Sequence, residues 1–469
     1  MRRFLVVAVA GLVGFFPALA PAETLTDALI SAYRNSNLLE QNQAVLRAAD
    51  EDLATAVSTL GPVITFRNTT LATASYLPNR PNSVFTPGPD PDQSEFDWSN
   101  TVELIASLPI YDFGRGKTGI ALRGELVRAA QQSLVNVEQQ VLLDAVSAYV
   151  NMGLQTELVA AQESNVRLIA QDLKAAQDRF EVGEVTRTDV ALAEAQLAAA
   201  KAALAAAQGN YNVARETYKA AIGHYPGTLS RLPAWPGKVR TLEEARAIAL
   251  RSHPVILQAQ HQARAADFGI EAARAEMRPD VNGTIILSQQ FNAGQSGQIN
   301  ERIAIETTQT LYASGRLASG VRKAIAQSQS AHAGLLQTGV NVEEAVGRAW
   351  SNILVANVSI QAGDQQIAAA QAAYEGVKQE AELGSRTTLD VLDAEQNLLQ
   401  VRASRLQAAA NLYISQYQLL SAMGQLTAEK LKLGIPTFDP EAYLNAVKNA
   451  PAHSAQGAKL DRILKTLGK

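Results

Sequence analysis

The chain has 469 residues, a formal net charge of −4 and no cysteine. The near-balanced charge, without blocks of one sign, excludes a nucleic-acid footprint. The missing thiols exclude disulfides, thiol catalysis, thiolate metal sites and a lipidated N-terminal Cys together. Only 6% of the residues are aromatic, and the abundance of Ala, Gln, Leu and Val suits long, closely packed helices better than a thick globular core.

In chain order, residues 1–22 read as a secretory signal: Arg2 and Arg3, an apolar run from Phe4 to Phe16, then small residues up to Ala22. No later stretch reads as apolar for the 18 or more residues a spanning helix needs, so any entry into a membrane is expected to be by strands.

Beyond the signal, the chain is one unit written twice. At a constant offset of 201 residues, Tyr111, Gly114, Arg115, Gly183, Thr186, Asp189 and Glu194 meet Tyr312, Gly315, Arg316, Gly384, Thr387, Asp390 and Glu395. Upstream the offset is 217, with Arg47, Asp50 and Pro62 meeting Arg264, Asp267 and Pro279. The first copy therefore carries 16 extra residues, which the Pro/Asp/Gly-rich stretch from Pro78 to Asp92 places in a loop.

Repeat 1 covers 23–223 and repeat 2 covers 241–424, with a linker at 224–240 and a C-terminal segment at 425–469. Each copy opens with a helical segment (Leu25 to Leu60; Leu242 to Met277) that stops before a proline. Period-two alternation then predicts strands at about 63–77 and 97–110, and again at about 280–291 and 299–311. The outer run of each copy alternates less cleanly.

From Gly114 and Gly315 the chain runs on without proline to Gly183 and Gly384, long enough for helices of roughly 100 Å. The returning arms repeat every seven residues, at Val190, Leu197, Leu204 and Tyr211 and at Leu392, Leu399, Leu406, Tyr413 and Leu420. Alanines flank that seam, so each copy is expected to form a coiled helical hairpin, 114–223 and 315–424, with its tip at the glycine. Four strands cannot close a barrel and open edges are not tolerated in lipid, so several chains must pool theirs.

The two tip segments, Arg179-Phe-Glu-Val-Gly-Glu-Val-Thr-Arg-Thr-Asp-Val190 and Glu382-Leu-Gly-Ser-Arg-Thr-Thr-Leu-Asp-Val-Leu-Asp393, resemble those of TolC-family outer-membrane factors. The resemblance covers nearly all of the mature chain. It implies a mainly α fold with a membrane β-barrel part: a homotrimer with twelve strands in one shared barrel and twelve helices in one periplasmic tunnel. It also implies an outer-membrane location, lipid around the barrel, and export from an inner-membrane ABC- or RND-type transporter through a periplasmic membrane-fusion adaptor. The non-pore alternative is a periplasmic coiled-coil scaffold, which would need the alternating runs to form a soluble sheet.

By the same resemblance, Asp390 and Asp393 form a cation-selecting ring at the periplasmic gate, and Arg386 latches the closed tip to Thr188 and Asp189. The exposed tips Val182, Gly183, Leu383 and Gly384 dock the adaptor. A family tyrosine of the latch falls at Ala381, so part of that network is missing or relocated. Bland explanations compete. Thr186-x-x-Asp189 and Thr387-x-x-Asp390 fit helix capping boxes, and a tip glycine is expected for backbone reasons alone. Asp393, whose repeat partner is Leu192, escapes the shared-capping explanation. The five histidines are scattered and no catalytic, cofactor or metal motif is found, so an enzyme is not expected.

Overall fold

The structure, a computed structural model, describes residues 22–76, 94–237, 239–292, 295–436 and 438–447, with 459 and 462. The signal segment up to residue 21 and the loop from Pro78 to Asp92 lie outside the described residues.

Each copy opens with two helices where the sequence suggested one. α1 (Leu25–Asn35) and α2 (Asn37–Ser58) are separated at Ser36, and α5 (Leu242–Ser252) and α6 (Pro254–Ala275) at His253. Ser36 leaves the helical region (φ −76°, ψ 106°), and its hydroxyl caps the next helix by accepting from the Leu39 N–H at 3.2 Å. At the equivalent position His253 is held extended before Pro254, which starts α6 at the one place where a missing N–H costs nothing.

The sheet comprises β1 (Val63–Tyr76), β2 (Ser94–Tyr111), β3 (Asp280–Asn292) and β4 (Gln295–Thr308), antiparallel in that spatial order. The two copies therefore meet at β2 and β3, and β1 and β4 are left as edges unpaired among the described residues. Register fixes the faces. Ile64, Ala106, Ile285 and Ile303 lie in one row across all four strands, while Arg67, Glu103, Ser288 and Asn300 form a row on the opposite face. Ile64, Ile285 and Ile303 are exposed, so the apolar face has no cover among the described residues. The outer strands alternate less cleanly because Val63 and Leu71 sit on the polar side and Glu301 ends the Phe66–Leu104–Leu287 row.

A left-handed glycine starts each long helix: Gly114 (φ 89°) before α3 (Arg115–Glu181) and Gly315 (φ 82°) before α7 (Arg316–Glu382), both of 67 residues. α4 (Arg187–Ile222) returns along α3, and α8 (Thr388–Ala422) along α7. Along α4 the alanines Ala193, Ala200 and Ala214 of the seam are buried while the heptad leucines Leu197 and Leu204 are only half-buried, and the next heptad position to be fully covered is Tyr218. Small side chains let the backbones approach, and the larger ones straddle the contact.

α4 also corrects one expectation, because it contains a stretch long and apolar enough by composition to cross a membrane. Its apolarity is that of its alanines, of which Ala193 and Ala200 are buried while Ala198, Ala199, Ala202, Ala203, Ala205 and Ala206 are exposed on the chain.

The main core lies at mid-hairpin height, where α1 and α5 meet the long helices around Leu142, Val146, Tyr149, Tyr218, Ile222 and Leu419. Tyr149 donates its hydroxyl to the carbonyls of Glu23 and Ser230 at 2.9 Å, and Tyr413 donates to that of Pro233 at 3.0 Å, tying the inter-repeat segment to both hairpins. α9 (Pro440–Val447) packs on α2.

Candidate periplasmic gate

Both hairpins turn by the same device. The Glu184 N–H donates to the Arg179 carbonyl and the Ser385 N–H to that of Glu380, each at 2.9 Å, while Gly183 and Gly384 take φ of 80° and 78°. This is the left-handed closure that satisfies the last carbonyls of a helix. A Cβ at either glycine would meet nothing within 4 Å, so the dihedral, and not space, demands glycine. Beside them Val182 and Leu383 are 72% and 85% exposed.

Thr186 and Thr387 then start α4 and α8 as reciprocal capping boxes. The Thr387 N–H and hydroxyl donate to Asp390 Oδ2 at 2.9 and 2.8 Å, and the Asp390 N–H donates back to Thr387 Oγ1 at 3.3 Å. Thr186 and Asp189 repeat this at 2.9, 2.7 and 3.3 Å. Hydrogen bonds from the Thr387 backbone and hydroxyl hold the Asp390 carboxyl below its ordinary range, with a smaller contribution from the Arg386 charge. Those from the Thr186 hydroxyl and backbone do the same for Asp189. Asp393 lies one turn beyond Asp390 on the same helix face, exposed and outside the box.

Arg386 and Asp189 line one cleft between the two tips, together with Thr186, Glu382 and Thr387. They are not joined there. Arg386 Nε is taken by Glu380 Oε2 at 2.8 Å on its own hairpin, and Asp189 is engaged by its own cap. Thr188 is an exposed residue of the first turn of α4.

The sequence reading missed Glu380 as the arginine's partner, and it missed a second acidic site. Asp172 of α3 faces Glu395 of α8, with Lys378 and Tyr374 of α7 beside them. Both lie eleven residues from the tip glycine of their own hairpin, about 16 Å along the helix. A usable signal existed for Asp172, because its repeat partner is Ala373. For Glu395 there was none, since Glu194 occupies the matching place.

The family model described as outer membrane efflux protein matches residues 29–224 and 246–425. The outer membrane efflux protein BepC of Brucella suis is 32% identical over 437 residues, covering 92% of this chain and 91% of its own. The outer membrane protein TolC of Escherichia coli is 24% identical over 350 residues, 69% of each chain. In three dimensions the chain is similar to the CmeC outer membrane channel of Campylobacter jejuni, with a TM-score of 0.74 at 15% identity over 91% of this chain and 89% of that one.

Proposed function

This chain belongs to the outer membrane efflux protein family and resides in the outer membrane, and on that premise we propose that three copies form one export duct. Each contributes four strands to a twelve-stranded barrel and four long helices to a periplasmic tunnel. The observation that carries the reading is the sheet: two unpaired edges and an uncovered apolar face. Unpaired backbone groups in hydrocarbon cost roughly several kcal/mol each, so four strands stand in lipid only if neighbouring chains close the ring.

In this reading Asp390 and Asp393, repeated by three-fold symmetry, bring six carboxylates to the periplasmic mouth and favour cations. Arg386 exchanges Glu380 for Thr188 and Asp189 across the cleft when the tip latches. Val182, Gly183, Leu383 and Gly384 present apolar tips to a periplasmic adaptor, which hands over cargo from an inner-membrane transporter. Substrate choice lies with that transporter.

The test combines the native mass of the detergent-purified protein with single-channel recording. A trimer that conducts supports the duct. A monomer extracted by carbonate, without conductance, returns the protein to the scaffold class.

A further inference from the structure

The pair Asp172 and Glu395 has no place in the gate, and its surroundings are unusual for carboxylates. Glu395 is 4% exposed, and both its oxygens, like Asp172 Oδ2, are buried without a donor among the described residues. One turn away along each helix lie Ile169 and Leu392, which with Ala200 form a buried apolar cluster joining α3, α4 and α8. The pair thus sits in the seam between the two hairpins.

Two ionised carboxyls there would be acceptors facing acceptors. One proton between them changes the count: protonated Glu395 donates its O–H to the Asp172 carboxylate, and Lys378 offsets the remaining charge. We propose that Asp172 and Glu395 are a proton-binding clasp that fastens α8 to α3, and that loss of the shared proton loosens the tip carrying Asp390 and Asp393.

The facing groups favour this assignment. From α3 comes Asp172 and from α7 come Lys378 and Tyr374, while α4 meets α8 beside the pair through Gln196, which donates to Gln396 at 3.5 Å. Burial and then the Asp172 charge push Glu395 up to about 7, and burial raises Asp172 as well. A carboxyl raised in the packed state stabilises packing while it is protonated, and that contribution is lost as pH rises through about 7. The clasp is therefore closed on the acid side and released on the alkaline side.

Its effect on conduction rests on the duct reading, so the experiment has two readouts. In planar bilayers scanned from about pH 5 to about pH 9, open probability of the wild-type channel is expected to rise with a midpoint near 7. Glu395→Gln, whose amide donates to Asp172 at every pH, removes that rise, and Asp172→Asn moves the midpoint to lower pH. Infrared titration of the full-length protein, taken as the difference between wild type and Glu395→Gln so that other raised acids such as Asp50 cancel, follows the carboxylic-acid C=O band of the pair, expected to vanish near the same pH. A conducting channel with a flat pH response, or Glu395→Gln with the wild-type response, overturns the clasp. Absence of conductance at every pH overturns the duct reading instead, and the infrared band then decides the clasp alone: its loss near pH 7 in that difference supports the shared proton, and its absence throughout overturns it.

Discussion

At the first tip Gly183 turns the chain with φ of 80° and Thr186 with Asp189 caps α4; at the second, Gly384 turns it with φ of 78° and Thr387 with Asp390 caps α8. Around these shared parts the side chains diverge. Val185 stands where the second tip has Arg386, Arg179 where it has Glu380, Leu192 where it has Asp393, and Asp172 faces the seam where the second copy has Ala373. Backbone geometry and capping are needed wherever a long helix reverses, so both copies keep them. These charged groups are placed once per chain, which in the proposed three-fold ring would make every other hairpin different.

The largest effect that would break this comparison concerns selectivity. Asp390→Asn combined with Asp393→Asn should abolish the preference for cations in reversal-potential measurements, while Asp189→Asn at the first tip should leave it in place. Equal effects from the two tips would mean that Asp390 only caps its helix, as Asp189 does, and that Asp393 adds nothing to selectivity.

Stability offers the next contrast, at the equivalent aspartates of the opening helices. Asp50 is 1% exposed with neither oxygen bonded, and burial, then Glu51, pushes it up to about 6. Asp267 accepts from Ser328 Oγ at 2.6 Å and lies 3.1 Å from His332 Nε2, contacts that, with the Ser328 bond first, hold it below its ordinary value. A raised acid stabilises the fold only while protonated, so Asp50 costs stability as pH climbs through about 6. Asp50→Leu should therefore stabilise by up to about 3 kcal/mol at alkaline pH, at roughly 1.4 kcal/mol per pKa unit, and by less in acid. Asp267→Asn should have the opposite sign, costing about 1 kcal/mol above its pKa and nothing once the acid is protonated. Thermal melting in detergent at several pH values checks both, and parallel pH slopes would refute the contrast.

Much of this was legible in the residues. The helix hairpins followed from proline-free runs between Gly114 and Gly183 and between Gly315 and Gly384, and the Thr-x-x-Asp boxes were readable because capping is local. The break at Ser36 was not, because Ser is an ordinary residue inside a helix; Pro254 carries a signal for the equivalent break, which the reading of Leu242 to Met277 as one segment passed over. The Asp172–Glu395 contact joins residues 223 apart, and only the packing of α3 on α8 brings them together. Likewise, the heptad gave the seam but not its depth, because leucine and alanine at adjacent seam positions leave open which one is fully covered.

A smaller effect sharpens the shared half of the comparison. Thr186→Ala and Thr387→Ala each remove a cap of the same geometry, and each should weaken its helix start by about 1 kcal/mol. Faster amide exchange in the first turns of α4 and α8, equal at the two tips, is the expected reading. A cap loss confined to one tip would show that its threonine serves something besides the helix.

The smallest structural effect belongs to Arg386, and that is what makes it informative. Its pair with Glu380 is half-exposed and lies within one hairpin, so Arg386→Ala should leave the melting temperature unchanged. If the arginine is also the latch, the same variant should increase antibiotic or dye leakage through the assembled pore. Val185→Ala, at the matching place on the first tip, should change neither. Stability and permeability would then separate at one position, as expected if the second tip carries the gate on a backbone that both tips share; unchanged leakage would confine Arg386 to its contacts within its own hairpin and remove the latch.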